Sequence, residues 1–261
     1  MARFLPLFSS SSANCCFVGI GNGGILVDAG ASGKQTINAL AKKGISPSEI
    51  KAIFVTHEHS DHIKGLSAII KATKAPVIAS APTLAGIEKY CRLPKDAVFR
   101  EIENSVVIED INVGRFETSH DCFGSSGYFF QMPDNTKISV CTDLGIVTDT
   151  VRQALIGSDL VYIESNHDIK MLKNGPYPPE LKLRILSEKG HLSNISCSAE
   201  LPALLESGTK RFVLAHLSQH NNIPRLAEST AVASLGDVGA KRDIDYILKA
   251  AAVSGGDWFC V

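Results

Sequence analysis

Residues 56 to 62 read Thr-His-Glu-His-Ser-Asp-His, which places His57, His59, Asp61 and His62 directly after the apolar run Ala52-Ile53-Phe54-Val55. Neutral imidazole nitrogen and ionised carboxylate oxygen suit a divalent ion of the zinc type, and two such sets close together suit a pair of ions. The bland alternative is a His-rich surface loop. Three more apolar runs follow the same rule. Gly114 to Ser119 leads into His120, Ile138 to Thr142 into Asp143, and Phe212 to Ala215 into His216. Taken singly, His120 and His216 read as structural histidines and Asp143 as a turn residue. Their joint placement at the ends of β-type runs makes ligands the better reading.

Bulk properties fit a compact enzyme. At 261 residues and 44% hydrophobic, the chain can bury a substantial core, and a single domain over residues 1–261 is expected. The formal charge of −1 and the lack of a long Lys/Arg block mean that a nucleic-acid substrate needs a local basic patch. Seven cysteines, Cys15, Cys16, Cys91, Cys122, Cys141, Cys197 and Cys260, are scattered without a Cys-x-x-Cys pair, which points to reduced thiols and a cytoplasmic protein. The run Phe4-Leu5-Pro6-Leu7-Phe8 is too short for a secretory core and reads as the first strand. No run has the roughly twenty apolar residues of a membrane span.

Strands alternate with helices along the chain. Phe17 to Ile20 and Ile25 to Val27 read as a hairpin turning through Gly21 to Gly24, and Lys34 to Lys43 as a helix ended by Gly44. Asp61 is expected to cap the helix carrying Ile63, Leu66, Ile69 and Ile70. Later helices are expected near Pro82–Tyr90, Asp149–Ile156, Glu180–Glu188, Ser196–Ser207 and Arg225–Leu235.

The ligand set, with the acidic turn Leu26-Val27-Asp28-Ala29-Gly30, resembles the metallo-β-lactamase superfamily over nearly the whole chain. The resemblance implies an α/β fold, a four-layer αβ/βα sandwich with metals at one edge. It implies two divalent ions, zinc first and manganese as the alternative. His57, His59 and His120 would hold one, Asp61, His62 and His216 the other, and Asp143 would bridge; Asp28 would support the metal loops.

The second half is similar to the ribonuclease Z branch: a strand ends in Glu164, Gly190-His191-Leu192-Ser193 opens a helix, and a strand ends in His216-Leu217-Ser218. The match implies that His191 is a general acid partnered by Glu164; without it, His191 reads as a locally bonded histidine at a helix start. Five segments also resemble the YycJ/WalJ-like family: Ser11 to Cys15, His57 to Gly65, Glu164 to Asp168, Gly190 to Asn194 and His216 to Asn222. That family tends to a Gly-rich N-terminal turn where this chain has Ser and Ala. Its members are regarded as nucleases, so the resemblance implies a dinuclear phosphodiesterase, with DNA exonuclease activity favoured over action on RNA.

In that chemistry the ions lower the pKa of bridging water from about 15.7 to about 7 and supply hydroxide as nucleophile. Asp61 would align the nucleophile while ligating, and His191 would protonate the leaving oxygen. Ser125, Ser126, Asn166, Asn194 and Asn221 are candidate substrate contacts, each with an ordinary turn role as the alternative.

Competing readings are a thioester or lactone hydrolase of the glyoxalase II type and a mononuclear iron persulfide dioxygenase. Both share the metal motif, but Ser119 to Tyr128 lacks their Pro-Gly-His-x-x-Gly-His form. Asp143 and His216 are too close in sequence for the large inserted domain of ribonuclease J-like enzymes. Substrate grip must then come from the sandwich face or from a second subunit of a homo-oligomer.

Overall fold

The computed structural model describes residues 1–21 and 23–261. In chain order the elements are β1 (Ala2–Ser10), β2 (Ala13–Ile20), β3 (Gly23–Val27), α1 (Gly33–Lys42), β4 (Ile50–Phe54), α2 (Ser60–Ile63), α3 (Leu66–Thr73), β5 (Val77–Ala79), α4 (Ala81–Tyr90), β6 (Phe99–Glu101), β7 (Ser105–Ile108), β8 (Ile111–Glu117), β9 (Ser126–Gln131) and β10 (Lys137–Cys141). They continue with α5 (Asp149–Leu155), β11 (Leu160–Glu164), α6 (Ile169–Asn174), α7 (Pro179–Ile185), α8 (Asn194–Glu206), β12 (Arg211–Ala215), α9 (Pro224–Asp237), β13 (Ile247–Ala250) and β14 (Phe259–Cys260). The early hairpin is the antiparallel pair β2–β3, with Phe17 opposite Leu26. Its expected turn through residues 21–24 includes residue 22, which lies outside the described residues.

The chain forms two compact units. One comprises Met1–Arg115, Cys122–Thr136 and Ala252–Val261, the other Phe116–Asp121 and Lys137–Ala251. In the first, a mixed sheet has the order β14-β1-β2-β3-β4-β5-β6. β14, β1, β2 and β3 pair antiparallel, whereas β3, β4, β5 and β6 run parallel. Alternate residues of these strands pack with Leu40, Leu66, Ile69, Ile70 and Ile87 from the helices in one apolar cluster. Ser32 starts α1 with a reciprocal capping box to Gln35, satisfying amides that the first helical turn leaves unpaired.

Parallel registry sets where the chemistry emerges. Val27 lies level with Phe54, and Phe54 with Ile78. Asp28 and the Thr56-His57 turn therefore leave neighbouring strands at their carboxyl ends, where parallel strands commonly present ligand-binding loops. The buried Tyr128 hydroxyl donates to the Val55 carbonyl at 2.7 Å and satisfies the backbone just before the turn.

The expected cap by Asp61 is not formed. α2 starts at Ser60 with His59 in the cap position and no side-chain cap bond. Asp61 lies two residues past the cap, within the first turn, and its carboxylate takes a hydrogen bond from Asn14 Nδ2 at 3.3 Å instead. The continuous helix expected from Ile63 to Ile70 is broken at Gly65, whose amide donates to the Ala29 carbonyl at 2.8 Å. A Cβ there would stand 2.1 Å from the Ala31 carbonyl oxygen, so only glycine lets the helix approach the Asp28 turn this closely.

In the second unit β10, β11, β12 and β13 pair in parallel, with Cys141 level with Ile163 and Ile163 level with Leu214. Glu164 thus ends β11, and Asp143 and His216 come just after the neighbouring β10 and β12, all at the same end. α8 and α9 pack on one another, burying Leu201, Leu204, Ala227, Ala231 and Leu235. The sequence pattern does not mark α6, β13 or β14. α6 has six residues, too few for a helical period to show, and its start is held by Asp168 Oδ1 accepting from Met171 N at 2.8 Å.

Candidate metal centre

In the first unit the donors are oriented from behind. The Asp28 carboxylate, 3% exposed, accepts the Thr56 amide on Oδ1 at 2.8 Å and meets His62 Nδ1 with Oδ2 at 2.8 Å. Thr56 Oγ1 reaches both carboxylate oxygens, at 3.1 and 2.9 Å, and lies 3.1 Å from His57 Nδ1. Both imidazoles are thereby gripped at Nδ1, which leaves Nε2 as the nitrogen that could ligate a metal; an outer carboxylate in this arrangement fixes ring orientation and raises the basicity of the other nitrogen. The His57 and His62 rings lie 4.1 Å apart between centroids, and His57 and His59 4.6 Å. Asp28 does this from a left-handed backbone, φ 63°. Non-glycine residues seldom adopt that conformation, and here the paired strand end and four bonds to the carboxylate hold it.

Asn14 is a site residue that the sequence reading did not single out. Its Nδ2 lies 3.1 Å from His62 Nε2 and donates to Asp61 Oδ2 at 3.3 Å. A small polar residue at the end of a β-hairpin gives no signal of its own. Glu58, inside the motif, turns away from the histidines and accepts the Phe123 amide at 3.1 Å.

Glu164 is the hub of the second unit. It is fully buried, and its Oε2 accepts the amides of Leu144 at 3.2 Å and Leu192 at 2.9 Å. Oε1 meets His191 Nδ1 at 2.8 Å and His216 Nδ1 at 2.7 Å. Burial by itself would raise its pKa, but the charge and hydrogen bonds of His191 and His216 outweigh that and hold the carboxyl below the usual range. The sequence expectation pairs Glu164 with His191 alone; the geometry adds His216. Donor atoms of Asp143, Glu164, His191 and His216 all lie within 4.8 Å of one another.

Asp143 Oδ1 lies 3.2 Å from His216 Nδ1 and 4.0 Å from His120 Nε2. His120 Nδ1 sits 3.1 Å from the Gly190 carbonyl, so this ring too is gripped at Nδ1. Burial lowers the His120 pKa, against the opposing charge of Asp143, and favours the neutral ring that a metal requires. Asp143 and His216 also have left-handed backbones, φ 59° and 53°. The donor chemistry within each unit fits a divalent metal: His57 and His62 in the first, and His120 and His216 in the second, are buried imidazoles held at Nδ1 beside buried carboxylates.

The candidate substrate contacts lie inside. Ser125 is 5% exposed, Asn166 4%, and Asn194 and Asn221 1% each. Asn166 Nδ2 donates to the His216 carbonyl at 2.9 Å, and Asn194 accepts the Ser165 hydroxyl at 2.7 Å, so these amides brace the loops. The neighbouring Ser126 hydroxyl receives Arg115 Nε at 2.8 Å. His191 keeps its side chain 16% exposed.

A family model, the metallo-beta-lactamase superfamily, matches residues 11–151. The exodeoxyribonuclease YycJ of Bacillus anthracis is 36% identical over 239 residues, covering 91% of this chain and 90% of that protein. The exodeoxyribonuclease WalJ of Streptococcus pneumoniae is 35% identical over 249 residues, 94% of this chain and 92% of its own length. Among solved structures, the metallo-beta-lactamase fold protein YhfI from Bacillus subtilis matches with a TM-score of 0.75 at 12% identity, covering 99% of this chain and 98% of that one. A diphosphatase from the PhnP family matches at 0.71 and 15% identity, covering 100% and 98%. At such identities the structural likeness speaks for the α/β fold alone.

Proposed function

The chain belongs to the metallo-β-lactamase superfamily, alongside the YycJ and WalJ relatives, and from that premise we propose that it is a metal-dependent exonuclease acting on DNA. The proposed ligands are His57, His59, Asp61 and His62 of the first unit and His120, Asp143 and His216 of the second, holding two ions, zinc by choice of donors. When bound, such ions supply a water that ionises near neutral pH and neutralise phosphate oxygens as charge develops. Asp61 aligns that water, and His191 protonates the departing oxygen.

The Glu164–His191 pair carries the reading. A ring held at Nδ1 by a buried carboxylate at 2.8 Å presents its Nε2–H outward, and the His191 side chain keeps 16% exposure. A phosphodiester needs that proton because its alkoxide leaving group is poor. That both relatives are named exodeoxyribonucleases supports DNA over RNA.

The test compares a DNA strand with a nitrophenyl phosphodiester, whose leaving group departs without a proton. His191→Ala is expected to retain metal content and folding and to lose roughly a hundredfold or more on DNA while largely sparing the activated ester. Glu164→Gln should be harsher. The Leu144 and Leu192 amides hold the amide oxygen, so its NH2 faces both His191 and His216 and forces the wrong tautomer on each. Equal loss of both activities in His191→Ala refutes the acid role. A protein inactive on every phosphodiester moves the reading to thioesters and lactones.

A further inference from the structure

Building on the acid role of His191 above, we propose that Asn222 is the positioning residue that sets His191 against Glu164. Asn222, 4% exposed, lies in the loop between β12 and α9. Its amide forms a reciprocal pair with Asn194: Asn194 Nδ2 donates to Asn222 Oδ1 at 2.9 Å, and Asn222 Nδ2 donates to Asn194 Oδ1 at 2.8 Å. Asn222 Nδ2 also reaches the carbonyls of Ser165 at 2.9 Å and Asn166 at 3.1 Å, so its two hydrogens are shared among three acceptors. Asn222 Oδ1 takes the Ile223 amide at 3.0 Å as well.

These partners belong to the chain segments that carry the functional groups. Ser165 and Asn166 directly follow Glu164, Asn194 opens α8 just after His191, and Asn222 follows His216. The three segments are not equally secured without it. His216 comes directly after Ala215, which is still in register with Glu164 in the parallel pair β11–β12. His191 belongs to no strand, and its place depends on how Leu192 to Asn194 lie over the end of β11. Backbone anchors there include Leu192 N to Glu164 Oε2 at 2.9 Å, Asn166 N to the Leu192 carbonyl at 2.9 Å, Asn194 N to the His167 carbonyl at 2.8 Å and His191 N to the Ile185 carbonyl at 3.0 Å. The buried amide pair, with the Ser165 hydroxyl on Asn194 Oδ1, adds side-chain anchors. A neutral pair in a dry site has strict directional demands and no alternative partner in water, so it sets position as well as adding stability.

Losing the pair lets the start of α8 shift, and a displacement on the order of 1 Å at an acid costs about a hundredfold. The experiment is a double-mutant cycle on DNA cleavage. Asn222→Ala is expected to lower kcat by about ten- to a hundredfold, with KM within about threefold, because the acid acts in the transition state. Made on top of His191→Ala, the same substitution should cost less than about threefold, since there is no longer an acid to misplace. A structural role would instead exact the same loss in both backgrounds, and that result overturns the proposal. If Asn222→Ala does not fold, Ser165→Ala is taken through the same cycle. It removes the 2.7 Å hydroxyl bond to Asn194 Oδ1, along with a contact to Cys197, and should give a smaller loss, again confined to the His191 background. The cycle measures coupling to His191 whatever His191 itself does, whereas the two-ester comparison of His191→Ala tests the acid role separately.

Discussion

Replacing Asp28 by Asn changes one atom of the site and should reverse the proton on a ligand. The Thr56 amide is a fixed donor 2.8 Å from Asp28 Oδ1, so the new carboxamide must keep its oxygen there. Its NH2 then occupies the place of Oδ2, 2.8 Å from His62 Nδ1. Two donors cannot face each other, so His62 must accept at Nδ1 and carry its proton on Nε2, the nitrogen that could ligate a metal. That proton also points at Asn14 Nδ2, 3.1 Å away, which now donates to the same nitrogen. Loss of such an outer partner typically weakens metal affinity by about ten- to a hundredfold, or ~1.4 to 2.8 kcal/mol. The clash with Asn14 leaves a buried group unsatisfied in the metal-free state, at about 1 to 3 kcal/mol, and a metal on Nε2 relieves it, so the lower end of the range is expected. Zinc affinity by chelator competition measures the effect, and long-range proton–nitrogen spectra of the apo protein report the His62 tautomer. Affinity within about threefold of wild type, or a tautomer unchanged from wild type, would refute the reasoning. The volume of the side chain is unchanged, so packing cannot account for the loss.

Protein purified without chelator should carry about two divalent ions per chain by elemental analysis, and Asp143→Ala should lose most of both; one iron per chain would favour the dioxygenase reading. In denaturant without reductant all seven cysteines should titrate as free thiols, whereas in the native state exposed Cys260 should react first. Cys15, Cys16, Cys141 and Cys197 should be protected, because burial raises their thiol pKa values and suppresses the reactive thiolate. Gly30→Ala would place a Cβ 1.6 Å from the Asp61 carbonyl oxygen, and since that atom is backbone the turn must move. A loss of about 3 kcal/mol in denaturant unfolding is expected, together with weaker metal binding; a neutral change would show that the turn is pliable.

The candidate ligands could be read from the chain because their signal is local. An apolar β run ending in His or Asp is written in consecutive residues, and so are the strand–helix alternation and caps such as Ser32 with Gln35. Glu164 and His191 needed a family pattern, because a buried Glu and a histidine 27 residues on have no local rule to join them. Tertiary structure alone decided how the donors are aimed. The Asp28–Thr56–His62 grip, the Asn14 contact and the Asn194–Asn222 pair each join distant positions, and nothing in the residues at one end names the partner at the other. The break at Gly65 and the inward turn of Asn166 and Asn194 belong to the same class, since both depend on what packs alongside. The left-handed backbones of Asp28, Asp143 and His216 likewise cannot be anticipated from side chains that ordinarily avoid φ above zero. Donor identity is a property of residues, whereas donor direction is set by the bonds between segments, which exist only once the chain has folded.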